Sequence, residues 1–246
     1  MLIEVCAGSL EDCLTAQVAG ADRIELNSAL HLGGLTPSLA TLKLAKDQVK
    51  LPIVCMVRPR GAGFCYSELE KAVMRLDARL LLEAGADGLV CGALTADGQL
   101  DEAFIAELIA LAHGFGADFV FHRAIDVAQD IRVIAERLIA LGCDRILTSG
   151  QAAKAPEGVA TLGQLQKRYG AQIDICMGSG ITAENVRELY EETGIGQVHA
   201  SFKAWQEDST SSGQAVDYSY GPPCAYDHVS KGKILALKEA LNRGRA

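Results

Sequence analysis

The chain has 246 residues, a formal net charge of -8, 49% hydrophobic and 22% charged residues, which suits a soluble globular core and excludes disordered and collagen-like classes. Lys and Arg are scattered and form no basic stripe, so nucleic acid is not an expected partner. The amino terminus MLIEVCAG has neither a basic n-region nor a long apolar h-region, and no window of about 18 apolar residues follows, so a soluble, cytoplasmic protein without membrane contact is expected.

Short apolar, β-rich runs recur along the chain: LIEVCAG (2 to 8), RIELNS (23 to 28), PIVCMVRP (52 to 59), GLVCGAL (88 to 94), DFVFHRAI (118 to 125), RILTSG (145 to 150), IDICMGSG (173 to 180) and QVHASF (197 to 202). Between them lie stretches with apolar residues at i, i+3, i+4, such as SLEDCLTAQVA, SELEKAVMRLDARLLLEA and DIRVIAERLIAL, which predict one helix after each strand. Four helix-to-strand joints repeat a pattern, GADR, GADG, GADF and GCDR, with a helix-ending glycine and an Asp leading into the next strand. Eight βα units in about 250 residues, with continuously apolar strands and no linker, predict a single-domain (β/α)8 TIM barrel over residues 1 to 246. Residues 203 to 228, polar and turn-rich, are expected to be an irregular loop before a last helix.

In such a barrel the chemistry sits at the carboxyl ends of the strands. Glu4 and Cys6, and likewise Glu25 and Asn27, are spaced i, i+2 and share a face. An inward carboxylate must be paired, hydrogen-bonded or protonated, so Glu4 and Glu25 belong either to a structural Glu/Arg network or to a catalytic centre. His122 can shuttle protons or be a satisfied core residue. Arg58, Arg60 and Arg123 are candidate anion holders, and Asp126, Ser149, His199 and Ser201 lie near strand ends. The run MGSGIT (177 to 182) is either a plain tight turn or an anion site at Gly178 and Gly180, with Thr182 as N-cap of a helix beginning near Ala183. The eight cysteines are dispersed without a C-x-x-C pair, which excludes zinc-ribbon and thioredoxin patterns and makes reduced, buried thiols the default.

The chain resembles the CutC copper homeostasis family over nearly its whole length, through EVC (4 to 6), GADRIEL (20 to 26), GGLTPS (33 to 38), RPRG (58 to 61), FCYS (64 to 67), FHRAID (121 to 126), LTSG (147 to 150) and VHAS (198 to 201). The resemblance implies a cytoplasmic TIM barrel, often a homo-oligomer, that handles copper and binds Cu(I). Soft thiolates suit that ion, and in members proposed to bind it they end the first two strands. Here Cys6 fills the first position, but Asn27 fills the second, which weakens direct Cu(I) binding; Cys55, Cys91 or Cys176 would substitute if they face the same mouth. The residues themselves support another reading, a TIM-barrel enzyme on a small anionic or phosphorylated substrate, with His122 and Glu4 or Glu25 exchanging protons. A binding scaffold acting through residues 203 to 228 is a third reading, and no organic cofactor is expected.

Overall fold

The computed structural model describes residues 1 to 242. Eight strands form where the apolar runs predict them: β1 (Leu2–Ala7), β2 (Arg23–Leu26), β3 (Ile53–Met56), β4 (Gly88–Cys91), β5 (Asp118–Phe121), β6 (Arg145–Thr148), β7 (Asp174–Gly178) and β8 (Gln197–Ala200). The intervening helices are α1 (Leu10–Val18), α2 (Leu39–Gln48), α3 (Glu68–Glu83), α4 (Glu102–Gly114), α5 (Ile131–Leu141), α6 (Val159–Tyr169) and α7 (Val186–Thr193). The strands are parallel and close in sequence order, with Glu4 of β1 beside His199 of β8. Among the described residues no helix is long and apolar enough to cross a membrane.

The repeated joints have a clear physical basis. Gly20, Gly85, Gly116 and Gly142 all take positive φ, which a residue without Cβ adopts at little cost. In three joints the Asp then reaches back to the previous strand. Asp22, Asp87 and Asp144 accept the first free N–H of β1, β3 and β5 at Ile3, Ile53 and Phe119, over 2.8, 2.7 and 2.7 Å. Each Asp thereby ties two neighbouring strands together at their amino ends.

Alternation along the strands divides the apolar side chains into two cores. Val54, Met56, Val90, Val120, Leu147 and Cys176 fill the barrel interior. Their strand neighbours, including Ile53, Cys55, Leu89, Cys91, Phe119 and Ile146, join the larger core between strands and helices. Cys55 and Cys91 thus belong to the outer layer and do not stand in for a second thiol, whereas Cys176 lies inside the barrel.

Two expectations are corrected. Residues 203 to 228 are not irregular throughout: β9 (Lys203–Glu207) and β10 (Ala225–Val229) form an antiparallel ribbon ahead of α8 (Lys231–Asn242). Its half-exposed strands lack the apolar run that marks a barrel strand. The ribbon is pinned by Val229 N–H donating to Asp12 Oδ1 (2.7 Å) and by Tyr220 stacking on His31 at 4.4 Å. The helix after β7 begins at Val186 rather than near Ala183; Thr182 N–H donates to Asn185 Oδ1 (2.9 Å) instead of Thr182 capping the helix.

Candidate functional site

Two clusters of polar side chains stand inside the barrel toward the carboxyl ends of the strands. The first joins β1, β2 and β8. Glu4 lies opposite Arg23 in the strand register and forms a buried ion pair with it, while its other oxygen meets His199 Nδ1 at 2.8 Å. Burial alone would raise the Glu4 pKa; the hydrogen bond and charge of His199, with Arg23 and Arg145 behind, outweigh it and hold the carboxyl at about 2. His199 is correspondingly held well above its usual value: burial opposes the charge, but Glu25, Cys6 and Glu4 around it favour the imidazolium.

Above this pair lies a second layer. Cys6 Sγ is 3.7 Å from Glu25 Oε2, and His199 Nε2 is 3.9 Å from the same oxygen. Asn27 Nδ2 donates to Glu25 Oε2 (2.8 Å) and approaches Cys6 Sγ (3.5 Å). Burial pushes the Cys6 thiol up to about 11, and burial likewise raises the Glu25 carboxyl. One ligand atom from each of Cys6, Glu25 and His199 falls within 4.8 Å of the others. Reading the residues singly assigns them three separate roles; the structure brings them into one triangle.

The second cluster joins β3, β5 and the loop after β3. Arg58 is buried, and its terminal nitrogens donate to the carbonyls of Leu32, Gly34 (both 3.1 Å) and Ala62 (2.7 Å). Its guanidinium lies over the Phe64 ring at 5.0 Å, and that ring packs on His122, also at 5.0 Å between centroids. His122 can sit this close to β4 because residue 92 is glycine: a Cβ there would come 2.5 Å from the imidazole. Burial, reinforced by Arg58, drops the His122 pKa to about 3, so the ring is neutral. Its Nδ1 accepts the Ala124 N–H at 3.1 Å, which assigns the proton to Nε2.

Both clusters open on one cavity of about 760 Å³, the size of a small-molecule site. Of the residues singled out in the sequence, Cys6, Glu25, Arg58, His122, Arg123, Gly180, His199 and Ser201 line it. Glu4 lies beneath, behind His199. Arg60, Asp126, Ser149 and Gly178 do not line it. Arg60 pairs with Glu70 and with the carbonyls of Gly61, Gly63 and Cys65. Asp126 is consumed in holding the turn after β6, accepting from Thr148 Oγ1 (2.5 Å), Ser149 Oγ (2.8 Å) and Gln151 N–H (3.1 Å). Gly178 leaves space for Leu147, whose Cδ1 a Cβ would meet at 2.8 Å. Sequence reading missed Phe64 and Arg23. FCYS and GADRIEL contain them, but which strand face they serve is not written in either run.

A family model described as the CutC family matches residues 1 to 204. The chain belongs to the CutC family. A family protein CutC of Treponema denticola is 48% identical over 217 residues, covering 88% of this chain and 87% of its own. A human relative named copper homeostasis protein cutC homolog is 40% identical over 206 residues, covering 84% of this chain and 75% of its own. The solved structure of a putative copper homeostasis protein CutC from Streptococcus agalactiae superposes with a TM-score of 0.77 at 34% identity, over 82% of this chain and 98% of that one. The CutC barrel is also similar to 3-hexulose-6-phosphate synthase from Salmonella typhimurium, with a TM-score of 0.63 at 17% identity over 99% of each chain, a likeness of fold alone.

Proposed function

We propose that this CutC-family protein serves copper homeostasis by taking a Cu(I) ion as cargo at the β1/β8 side of the barrel mouth, with Cys6 and His199 as ligands and Glu25 beside them. The observation that carries the reading is the gathering of the Cys6, Glu25 and His199 donor atoms within 4.8 Å of one another on the wall of an open cavity. The copper homeostasis names of the human and streptococcal relatives support copper as the cargo.

A thiolate and an imidazole nitrogen fit a soft, low-coordinate ion, while the Glu25 carboxylate is a harder and weaker donor for it. Asn27 supplies no soft donor, so the single thiolate gives a lower affinity than a thiolate pair. The protein's own contribution is orientation and proton control. Glu4 fixes the His199 ring through Nδ1, leaving Nε2 toward Cys6 and Glu25. Asn27 N–H groups steady the Glu25 carboxyl and the sulfur.

Both the Cys6 thiol, at about 11, and the raised His199 must lose a proton to act as ligands. Binding therefore releases protons, and apparent affinity rises as pH rises through neutrality. Anaerobic titration of Cu(I) against a competing chelator across neutral pH reads this slope. Cys6→Ser and His199→Gln are each expected to weaken binding by at least about tenfold; unchanged affinity in both variants would discard the site. Cytoplasmic location and self-association complete the reading, and cell fractionation and light scattering check them.

A further inference from the structure

We propose that the opposite side of the mouth, where Arg58, Phe64 and His122 meet, is a separate binding site for the oxyanion group of a small organic molecule, a carboxylate or a phosphate ester. Two independent observations lead there. Arg58 is 5% exposed, and its terminal nitrogens are satisfied only by uncharged backbone carbonyls. Arg23, Arg60 and Arg123 each have a carboxylate partner in Glu4, Glu70 and Asp126; among the described residues Arg58 forms no ion pair. A buried, uncompensated cation in a cavity wall is costly unless an anion reaches it.

The second observation concerns hydrogen bonds. Arg58 Nε and His122 Nε2 are both buried, and among the described residues neither has a hydrogen-bond partner. With Nδ1 engaged by Ala124 N–H, His122 presents Nε2 as a donor, and an unmet buried donor carries a desolvation penalty that an acceptor oxygen removes. Arg58, Phe64 and His122 line the same cavity, whose volume of about 760 Å³ far exceeds what a metal ion or a lone inorganic anion fills. Met56, Leu147 and Ile181 supply apolar wall for the rest of the molecule. The oxyanion accepts from the two cavity-lining donors, and the carbon skeleton lies across the apolar wall toward the β1/β8 side.

Copper-free protein carrying ¹⁵N-labelled histidine provides the test, because the His122 ring reports directly on its own Nε2 and the result does not depend on metal binding. Oxalate and inorganic phosphate are titrated separately at millimolar concentration. The expected result is a saturable shift of the His122 signal with at least one of them; tighter oxalate binding assigns a carboxylate ligand and tighter phosphate binding a phosphate ester. Two variants keep the outcome interpretable, since loss of the Arg58 contacts to three carbonyls could unfold the loop. His122→Asn retains an acceptor for Ala124 N–H but deletes the Nε2 donor, and Arg58→Lys retains charge but deletes Nε. Each, titrated by isothermal calorimetry alongside wild type because His122→Asn carries no His122 signal, is expected to weaken binding by at least about tenfold while leaving the folded spectrum intact. No saturable shift with either anion, or equal affinity in His122→Asn, would overturn the proposal.

Discussion

Asn27 sets how tightly a soft metal can be held. It occupies the end of β2 facing Cys6, where it donates a hydrogen bond toward sulfur instead of contributing a second sulfur. Asn27→Cys is expected to raise Cu(I) affinity by at least about tenfold in the chelator competition, because a second thiolate within reach of the first suits the ion's preference for two soft donors. His122 makes a different demand, on pH. Its folded pKa is depressed from 6.5 to about 3, so below pH 6.5 the unfolded chain binds a proton that the folded chain refuses. Stability therefore falls as pH falls from 6.5 toward 3, and the depressed Glu4, at about 2, adds to the loss below 4.5. His199 acts in the other direction: its raised pKa contributes stability below 6.5 that is lost as pH rises through the folded value. Urea unfolding at neutral pH and at about pH 5 should show His122→Asn losing about 2 kcal/mol less than wild type.

At the level of elements, the turn after β6 is organised from outside itself. Asp126, five residues beyond the end of β5, accepts hydrogen bonds from Thr148, Ser149 and Gln151 and pairs with Arg123. HRAID and LTSG look like two strand-end motifs offering polar groups to a ligand; folded, they satisfy each other. Asp126→Ala strands the buried Thr148 and Ser149 donors and is expected to cost about 3 kcal/mol in urea unfolding, with little change in Cu(I) affinity. A large loss of Cu(I) binding with unchanged stability would assign Asp126 a direct role instead. The Asp residues of the joints show the same economy, since one side chain ties two strands where the pattern alone suggests only a turn.

For the whole molecule, the barrel brings two unlike surfaces to one cavity: a thiol, imidazole and carboxyl group across β1, β2 and β8, and the unpartnered Arg58 Nε and His122 Nε2 just beyond the ends of β3 and β5. Of the ribbon, Val229 of β10 joins the larger core, while the segment between the two strands stays outside it. No residue from 208 to 224 is buried, and the family match ends at residue 204. Replacing 208 to 224 with a short turn is therefore expected to leave the barrel folded, lowering Tm by only a few degrees in a thermal scan, since the loss is the His31–Tyr220 stack and exposed contacts.

The sequence alone determined the eight strands, their helices, the closed parallel architecture and the family, because apolar period, glycine at helix ends and ordered motifs are local properties of the chain. It also determined that Glu4 and Cys6 share a face, and Glu25 and Asn27 another, through the two-residue repeat of a strand. Tertiary structure decided which face is the interior. Parallel strands covered on both sides carry no polar alternation to mark it, so Cys55 and Cys91 look as available as Cys6 until the barrel closes and turns them outward. It also decided which polar groups are spent. Arg58 and Arg60 sit two residues apart in RPRG, yet Arg60 finds a carboxylate because Glu70 at the start of α3 folds against it, whereas among the described residues no carboxylate pairs with Arg58.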